Sequence, residues 1–405
     1  PLLMSPFGFA LAACGGGGGT SSSTSSTSST SSTSSTSSNS STSKGSLQAT
    51  TSSLYDRTLD VYGLKILVGG AVGTQAEVTD EWAHKVAQSY VLMMDSTASG
   101  INVAAQERMK DTLAGEEGTW HAGEYAFQRV LKGSGQEYPL NPLQDLNRGD
   151  LDAEYGSGTE TLLIGLADDM VWYQNSTGTI GNGDGDVQEL FEHIMHTIHQ
   201  YGVRGEVDGS VDALNYVDAS TGDPHNSDDA TWKTSELYLA LKEAIDNDVL
   251  DASGYAADPL NNSEHFMVAA KEYTYLLNFS MWEMGKEFWP DKNAAGDGTL
   301  SPEWSDLAST PAGVLAENPL GYALFNTYFA PVLSKPDFVT LRSMFQDNDQ
   351  GDSGYVADVV AQAFVISFTE ESDLLNTEDM FSDQLSLETE LSLGPEVLFA
   401  PSDVL

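Results

Sequence analysis

The stretch VQELFEHIMHTIHQY, residues Val187–Tyr201, decides how this chain is read. Its apolar residues recur at the three- and four-residue intervals of an amphipathic helix, and no proline or glycine interrupts it. Three of the chain's seven histidines, His193, His196 and His199, fall inside it. Upstream, Glu160–Trp172 (ETLLIGLADDMVW) reads as a buried strand or strand pair, and Leu59–Gly69 (LDVYGLKILVG) as a strand. Between them, Thr79 caps a helix with an acidic first turn and a stripe of Trp82, Val86, Ala87, Tyr90, Val91 and Met94. Ile101–Leu113 reads as a second helix. Downstream, Ser235–Ile245 and Glu264–Lys286 are expected as helices, with a further pair at Asp337–Gln346 and Gly354–Phe368. No internal repeat of roughly 20–50 residues appears, which argues against a solenoid. The expected fold is mainly α with a small β-sheet (α+β), in a single globular domain over residues 54–372.

The ends read differently. Residues 1–14 are apolar, short and close on small residues, so they read as the end of a signal peptide and are too short to span a bilayer. Leu11-Ala-Ala-Cys14 resembles a bacterial lipobox, in which the cysteine is lipidated and begins the mature chain. Cys14 is the only cysteine, so no disulfide framework and no Cys-ligated metal site is expected. Residues 15–53 are Gly-, Ser- and Thr-rich and cannot bury enough apolar surface to offset their ordering entropy, so they read as a flexible, disordered linker. Residues 373–405 read as an acidic tail. The expected place is the bacterial cell envelope or surface, with membrane attachment only through the lipid on Cys14.

Over its 405 residues the chain carries 60 acidic against 17 basic side chains, a formal charge of −43. A surface of that sign repels phosphate, which argues against nucleic acid and against adhesion to anionic lipid through a basic patch. It suits high salt, abundant divalent cations or solubility outside the cell.

The histidine window carries the chemistry. At about 100° per residue, Glu192 and His196 lie about 40° apart on a helix and His193 and His196 about 60° apart. His199 stands one turn beyond His196 and can join from the side. Two or three imidazoles beside a carboxylate on one helix face suit zinc, which takes three protein ligands and keeps a position for water.

Read from Glu192, the run EHIMHTIHQYGV resembles the HExxHTIH…G segment of zinc metallopeptidases related to the catalytic domain of anthrax lethal factor. That segment is followed by a helix whose Glu is the third zinc ligand, and Lys271-Glu272-Tyr-Thr-Tyr275 inside Glu264–Lys286 matches it at Glu272. The resemblance covers roughly Leu59–Lys286 and is carried by two short motifs. It implies a zincin-like domain, a zinc ion and a peptide or protein substrate. The family reads His-Glu where this chain reads Glu192-His193, so Glu192 takes the first ligand's place and His193 the general base's, with His196 and Glu272 as the other ligands. Two arrangements follow. In one, Glu192, His196 and Glu272 bind and His193 faces the open position. In the other, His193, His196 and Glu272 bind and Glu192 activates the water; it is the favoured reading, because imidazole is the better zinc ligand. A third outcome is a retained fold with no catalysis. Where the family places a Tyr that stabilises the oxyanion, seven residues before the ligand Glu, this chain has His265, which can donate a hydrogen bond if protonated. His121, in a Gly-flanked loop, is a weaker candidate for a fourth ligand or a substrate contact.

Three loops dense in Asp, Asn and Gly, at 181–186, 291–303 and 347–352, offer oxygen ligands of the kind calcium takes. Asp184 and Asp186 also stand where carboxylates favour the start of the histidine helix. The leading expectation is a surface-tethered, zinc-dependent endopeptidase, with the Glu160–Trp172 edge aligning substrate by strand addition. The alternative is a catalytically degenerate acidic lipoprotein that binds zinc or calcium. A redox di-metal centre ranks last, because the Glu-x-x-His spacing of such sites is absent from the histidine helix.

Overall fold

The computed structural model describes residues 43–52, 55–71, 77–119, 122–132, 161–163, 170–173, 184–204, 210–216, 230–254, 256–288, 303–345 and 351–358, all within one compact unit. The fold is mainly helical with a small mixed sheet. No helix among these residues is long and apolar enough to cross a membrane.

Leu59–Gly69 is not one strand. It holds most of a hairpin of β2 (Arg57–Val61) and β3 (Leu64–Val68), antiparallel with Val61 opposite Leu64. The turn is Tyr62-Gly63, with φ of 53° and 82°. Positive φ at both positions is the two-residue geometry whose twist matches the flanking strands. The sequence hid it because Tyr is a poor turn marker; here the Lys110 ammonium lies over the Tyr62 ring at 4.4 Å. A short strand β1 (Gln48–Ala49) pairs antiparallel with β2 from inside the segment read as linker. Lys44 N–H donates to Asp358 Oδ2 at 3.0 Å, and the Asp358 N–H returns a 2.8 Å bond to the Lys44 carbonyl. Paired backbone is therefore present over residues 43–49, inside the segment read as linker. Backbone pairing holds this edge, and an apolar count cannot register that.

The centre of the sheet is β4 (Glu124–Lys132), parallel to β3. Its sequence does not mark it as a strand, because Gln128 and Arg129, both buried, interrupt its apolar run. The pair expected in Glu160–Trp172 is present as β5 (Thr161–Leu163) and β6 (Met170–Tyr173), each parallel to β4. A parallel connection needs a crossover. Helices α1 (Asp80–Met93) and α2 (Val103–Leu113) lie between β3 and β4 in the chain. Thr79 caps α1, its Oγ1 accepting from the Trp82 N–H at 3.2 Å, and Trp82, Val86, Ala87 and Tyr90 are buried as the stripe requires.

The histidine helix is α3 (Asp184–Thr197), continued by a π-helical segment over Ile198–Val203. It contacts β4 and β6 of the sheet and buries Leu190, Phe191, Ile194, Met195 and Ile198. After the short α4 (Ser210–Ala213) come α5 (Glu236–Asp246) and α6 (Ser263–Met281), the helix that carries Glu272. The helix expected over Glu264–Lys286 stops at Met281 because Glu283 takes a left-handed conformation, φ 57°, and the chain restarts as α7 (Met284–Phe288). No glycine or proline marks that break. Short helices α8 (Pro311–Glu317), α9 (Pro319–Leu324) and α10 (Phe338–Met344) complete the described helices, with a second π-helical segment over Phe325–Phe329. Of the helix expected at Gly354–Phe368, residues 354–358 are not helical and the remainder lies outside the described residues. Residues 1–42 and 373–405 lie outside them as well.

Candidate metal centre

Helices α3 and α6 lie against each other and are matched along their length. His199 Nε2 donates to Asn278 Oδ1 at 3.2 Å across an interval of 79 residues. The same interval separates His196 from Tyr275, whose rings meet edge to face at 5.4 Å. A constant interval over successive turns means that the helices run parallel and in step. Polar ties fix α3 on its other side: Thr197 Oγ1 and Tyr90 OH both donate to Gln128 Oε1 at 3.0 Å. At the start of α6, Asn262 Oδ1 accepts from the His265 N–H at 3.0 Å and sets the phase of the helix.

This pairing brings Glu192, His196 and Glu272 together. One ligand atom from each lies within 4.8 Å of the others. A single ion can bridge that spacing once the side chains turn inward to metal–ligand distances of about 2 Å. Among the described residues this is the group of three or more His, Cys, Asp or Glu side chains that could hold a metal ion. His196 is 1 % exposed while Glu192 is half-buried, so the cluster is backed by the core and reaches toward solvent at Glu192. Burial, then the Lys271 ammonium, then His193 and His199 hold the His196 pKa well below the usual histidine range. A neutral imidazole is the form that binds a metal.

Of the two arrangements drawn from the sequence, the cluster matches the one in which Glu192 stands among the ligands. His193 lies outside it, its ring centroid 5.8 Å from that of His196 and its Nε2 3.9 Å from Glu189 Oε2 one turn earlier. His199 lies outside it too. Beside its bond to Asn278, it packs on Phe329 of the second π-helical segment, with ring centroids 4.3 Å apart. Burial pushes its pKa down to about 3, the Asn278 bond acting in the opposite sense. His265 accepts the Asp258 N–H on Nδ1 at 3.1 Å, at the far end of α6 from the α3 contact with Asn278. His84 stacks on Tyr355 at 5.5 Å. His121 and His225 lie outside the described residues, as do 181–183, 289–302 and 346–350, which take in most of the three acidic loops. Asp184 and Asp186 open α3, and Asp186 is buried.

Two neighbours escaped the sequence reading. Glu189 was legible as an i, i+4 partner of His193. Lys271 was legible as a basic residue next to Glu272 within the mostly apolar run Phe266–Leu277. No protein-family model, curated protein or solved structure matches the chain, so the site stands on its own geometry.

Proposed function

We propose that the protein is a zinc-dependent hydrolase of peptide bonds, of the endopeptidase kind, with Glu192, His196 and Glu272 as metal ligands. The observation that carries this is the convergence of those three side chains from two parallel helices. Three protein ligands with one partly exposed leave a coordination position that solvent can reach. A zinc ion there supplies a Lewis acid and lowers the pKa of water. His193 is the proton acceptor, since its ring neighbours His196. Glu189 sits within ion-pair reach of the His193 ring and stabilises the imidazolium once the proton has moved. The residues that stand where the family has His-Glu thus keep both roles with the residue types exchanged. A lipid on Cys14 and the Ser/Thr-rich linker would hold this domain at the cell surface. Calcium in the acidic loops belongs to the same proposal.

The test is metal content and proteolysis of the full chain and three variants. Glu272→Ala and His196→Ala are expected to lose both the metal and the cleavage of a peptide library. His193→Ala is expected to keep the metal and lose cleavage. Full occupancy in Glu272→Ala would show the ligand set to be wrong. Metal bound without cleavage in the wild type would support the second reading, a non-catalytic metal-binding surface protein. The buried lysine beside the cluster favours that second reading, because a fixed cation opposes an added one.

A further inference from the structure

A cavity of about 440 Å³ lies where the turn between β2 and β3 meets the ends of α1 and α2, and no residue of the metal cluster lines it. That volume falls in the range of small-molecule sites. Its polar wall is Lys44, Tyr62, Asp95, Glu107 and Lys110. Lys110 is 4 % exposed; its ammonium donates to Glu107 Oε1 at 2.9 Å and lies over the Tyr62 ring. A buried ammonium is costly unless its three donors are used. One goes to the carboxylate and one can rest on the ring face. At least one therefore has no protein acceptor among the described residues. Asp95 presents the opposite charge. Its Oδ1 accepts both the N–H and the hydroxyl of Thr97, at 2.9 and 2.7 Å, which leaves Oδ2 without a partner among the described residues. Burial, then Asp358, Glu107 and Asp95 push the Tyr62 pKa up to about 12, so its hydroxyl stays protonated and can donate. Lys44, 3.4 Å from Asp358, and Glu107 are both partly exposed, so the cavity can be entered from solvent.

Two ammoniums and two carboxylates line this space, so a ligand of one sign meets repulsion as well as attraction. A zwitterion meets both signs favourably. Val91, Leu92 and Met94 add apolar surface to the same wall. We propose that the cavity binds a small zwitterion, a free amino acid or dipeptide with an apolar side chain, its carboxylate on Lys110 and its ammonium on Asp95. The carboxylate completes the donors of the buried ammonium, and the side chain rests on the apolar wall. This site uses none of the residues proposed to bind metal and stands or falls apart from them.

The experiment titrates leucine, leucyl-leucine, N-acetyl-leucine and leucinamide into the full chain by calorimetry, with chelator present so that no metal ion holds the amino group. Leucine or leucyl-leucine is expected to bind about tenfold or more tightly than either single-charge compound. Lys110→Met is expected to weaken the zwitterion about tenfold or more, and Glu272→Ala to bind it as wild type does. Asp95→Asn keeps Oδ1 for Thr97 and serves if Lys110→Met fails to fold. It is expected to weaken leucine and leucyl-leucine while sparing N-acetyl-leucine. Three results would each overturn the site: no binding of leucine or leucyl-leucine by wild type, equal affinity for the single-charge compounds, or wild-type affinity in Lys110→Met or Asp95→Asn. Binding lost in Glu272→Ala and kept in Lys110→Met would move the ligand to the metal cluster and overturn it as well.

Discussion

His199 and Asn278 meet at 3.2 Å between two parallel helices, and this bond fixes the register in which the cluster one and two turns away is assembled. The His199 ring belongs to a π-helical segment and rests on Phe329 of another. Widened helical turns of this kind are rare and concentrate at functional sites. Here the widened turn begins directly after Thr197, so the helix is regular through Glu192 and His196 and departs from regularity at the His199–Asn278 contact. The third histidine of the window positions the site without entering the ligand group.

Burying His199 gives the fold a dependence on pH. Unfolded, the side chain titrates near 6.5, whereas in the fold its pKa is pushed down to about 3. Between those values the unfolded chain binds the extra proton, so the stability that neutral His199 contributes is complete above about pH 6.5 and is lost as pH falls. The loss runs at about 1.4 kcal/mol per pH unit. His199→Gln keeps a hydrogen-bonding end without the titration. Urea unfolding of both proteins should show the wild type's advantage shrinking by about 2–3 kcal/mol between pH 7 and pH 4.5. A constant difference across that range would mean that His199 titrates alike in both states.

His265 separates the family's expectation from the local structure. It stands two turns before Glu272, about 10 Å along the helix axis, and its Nδ1 is already occupied by the Asp258 N–H. His265→Ala is therefore expected to cost about 1 kcal/mol of stability or less, as loss of one partly exposed hydrogen bond does. Zinc stoichiometry and peptide cleavage should match wild type. A drop in kcat with unchanged metal content would instead restore the oxyanion role.

Much of the scaffold was legible in the sequence for ordinary reasons. Thr79, the stripe from Trp82 to Tyr90 and the run from Val187 to Tyr201 all state a helical period that burial confirms. The ligand candidates were legible too, since Glu192, His196 and Glu272 come from the two helices with the clearest patterns. What stayed hidden was set by tertiary contact. Tyr62 turns a chain whose alternation continues across it, Glu283 stops a helix with no breaker residue, and β1 joins the sheet through backbone bonds alone. The choice between Glu192 and His193 as ligand depends on helix rotation, and no pattern on one helix fixes that without the other.

Asn318 ties α6 to the short helices behind it and gives a test of the packing that holds Glu272 in place. Its side chain is fully buried, accepts from Tyr273 OH at 2.7 Å, and donates to the Ala240 carbonyl at 3.0 Å and to Glu243 Oε2 at 2.8 Å. Asn318→Ala leaves the buried Tyr273 hydroxyl without its acceptor and removes the side-chain donor to the Ala240 carbonyl and to Glu243, and should cost about 2–3 kcal/mol in urea unfolding. Tyr273→Phe removes one bond and should cost about 1 kcal/mol. The double variant should fall well short of the sum, because the two share a bond. Full additivity would show that the 2.7 Å contact contributes nothing to stability.

The hairpin turn can be tested through a pair of small residues. Gly63 has φ 82°, and a Cβ placed on it would lie 2.1 Å from the Cβ of Ala114, just past the end of α2. Gly63→Ala therefore meets two separate penalties: about 1 kcal/mol for a left-handed conformation and a steric term from the collision. Removing the opposing methyl with Ala114→Gly relieves only the second, and Ala114 is itself in a helical conformation that glycine favours less. Gly63→Ala alone should then be the least stable of the three proteins in thermal unfolding. The double variant should recover part of the loss, leaving a residue of about 1–2 kcal/mol from backbone strain at 63 and lost helix propensity at 114. If the double variant is no better than Gly63→Ala, the collision is absorbed by movement of the turn and strain at Tyr62-Gly63 carries the whole cost.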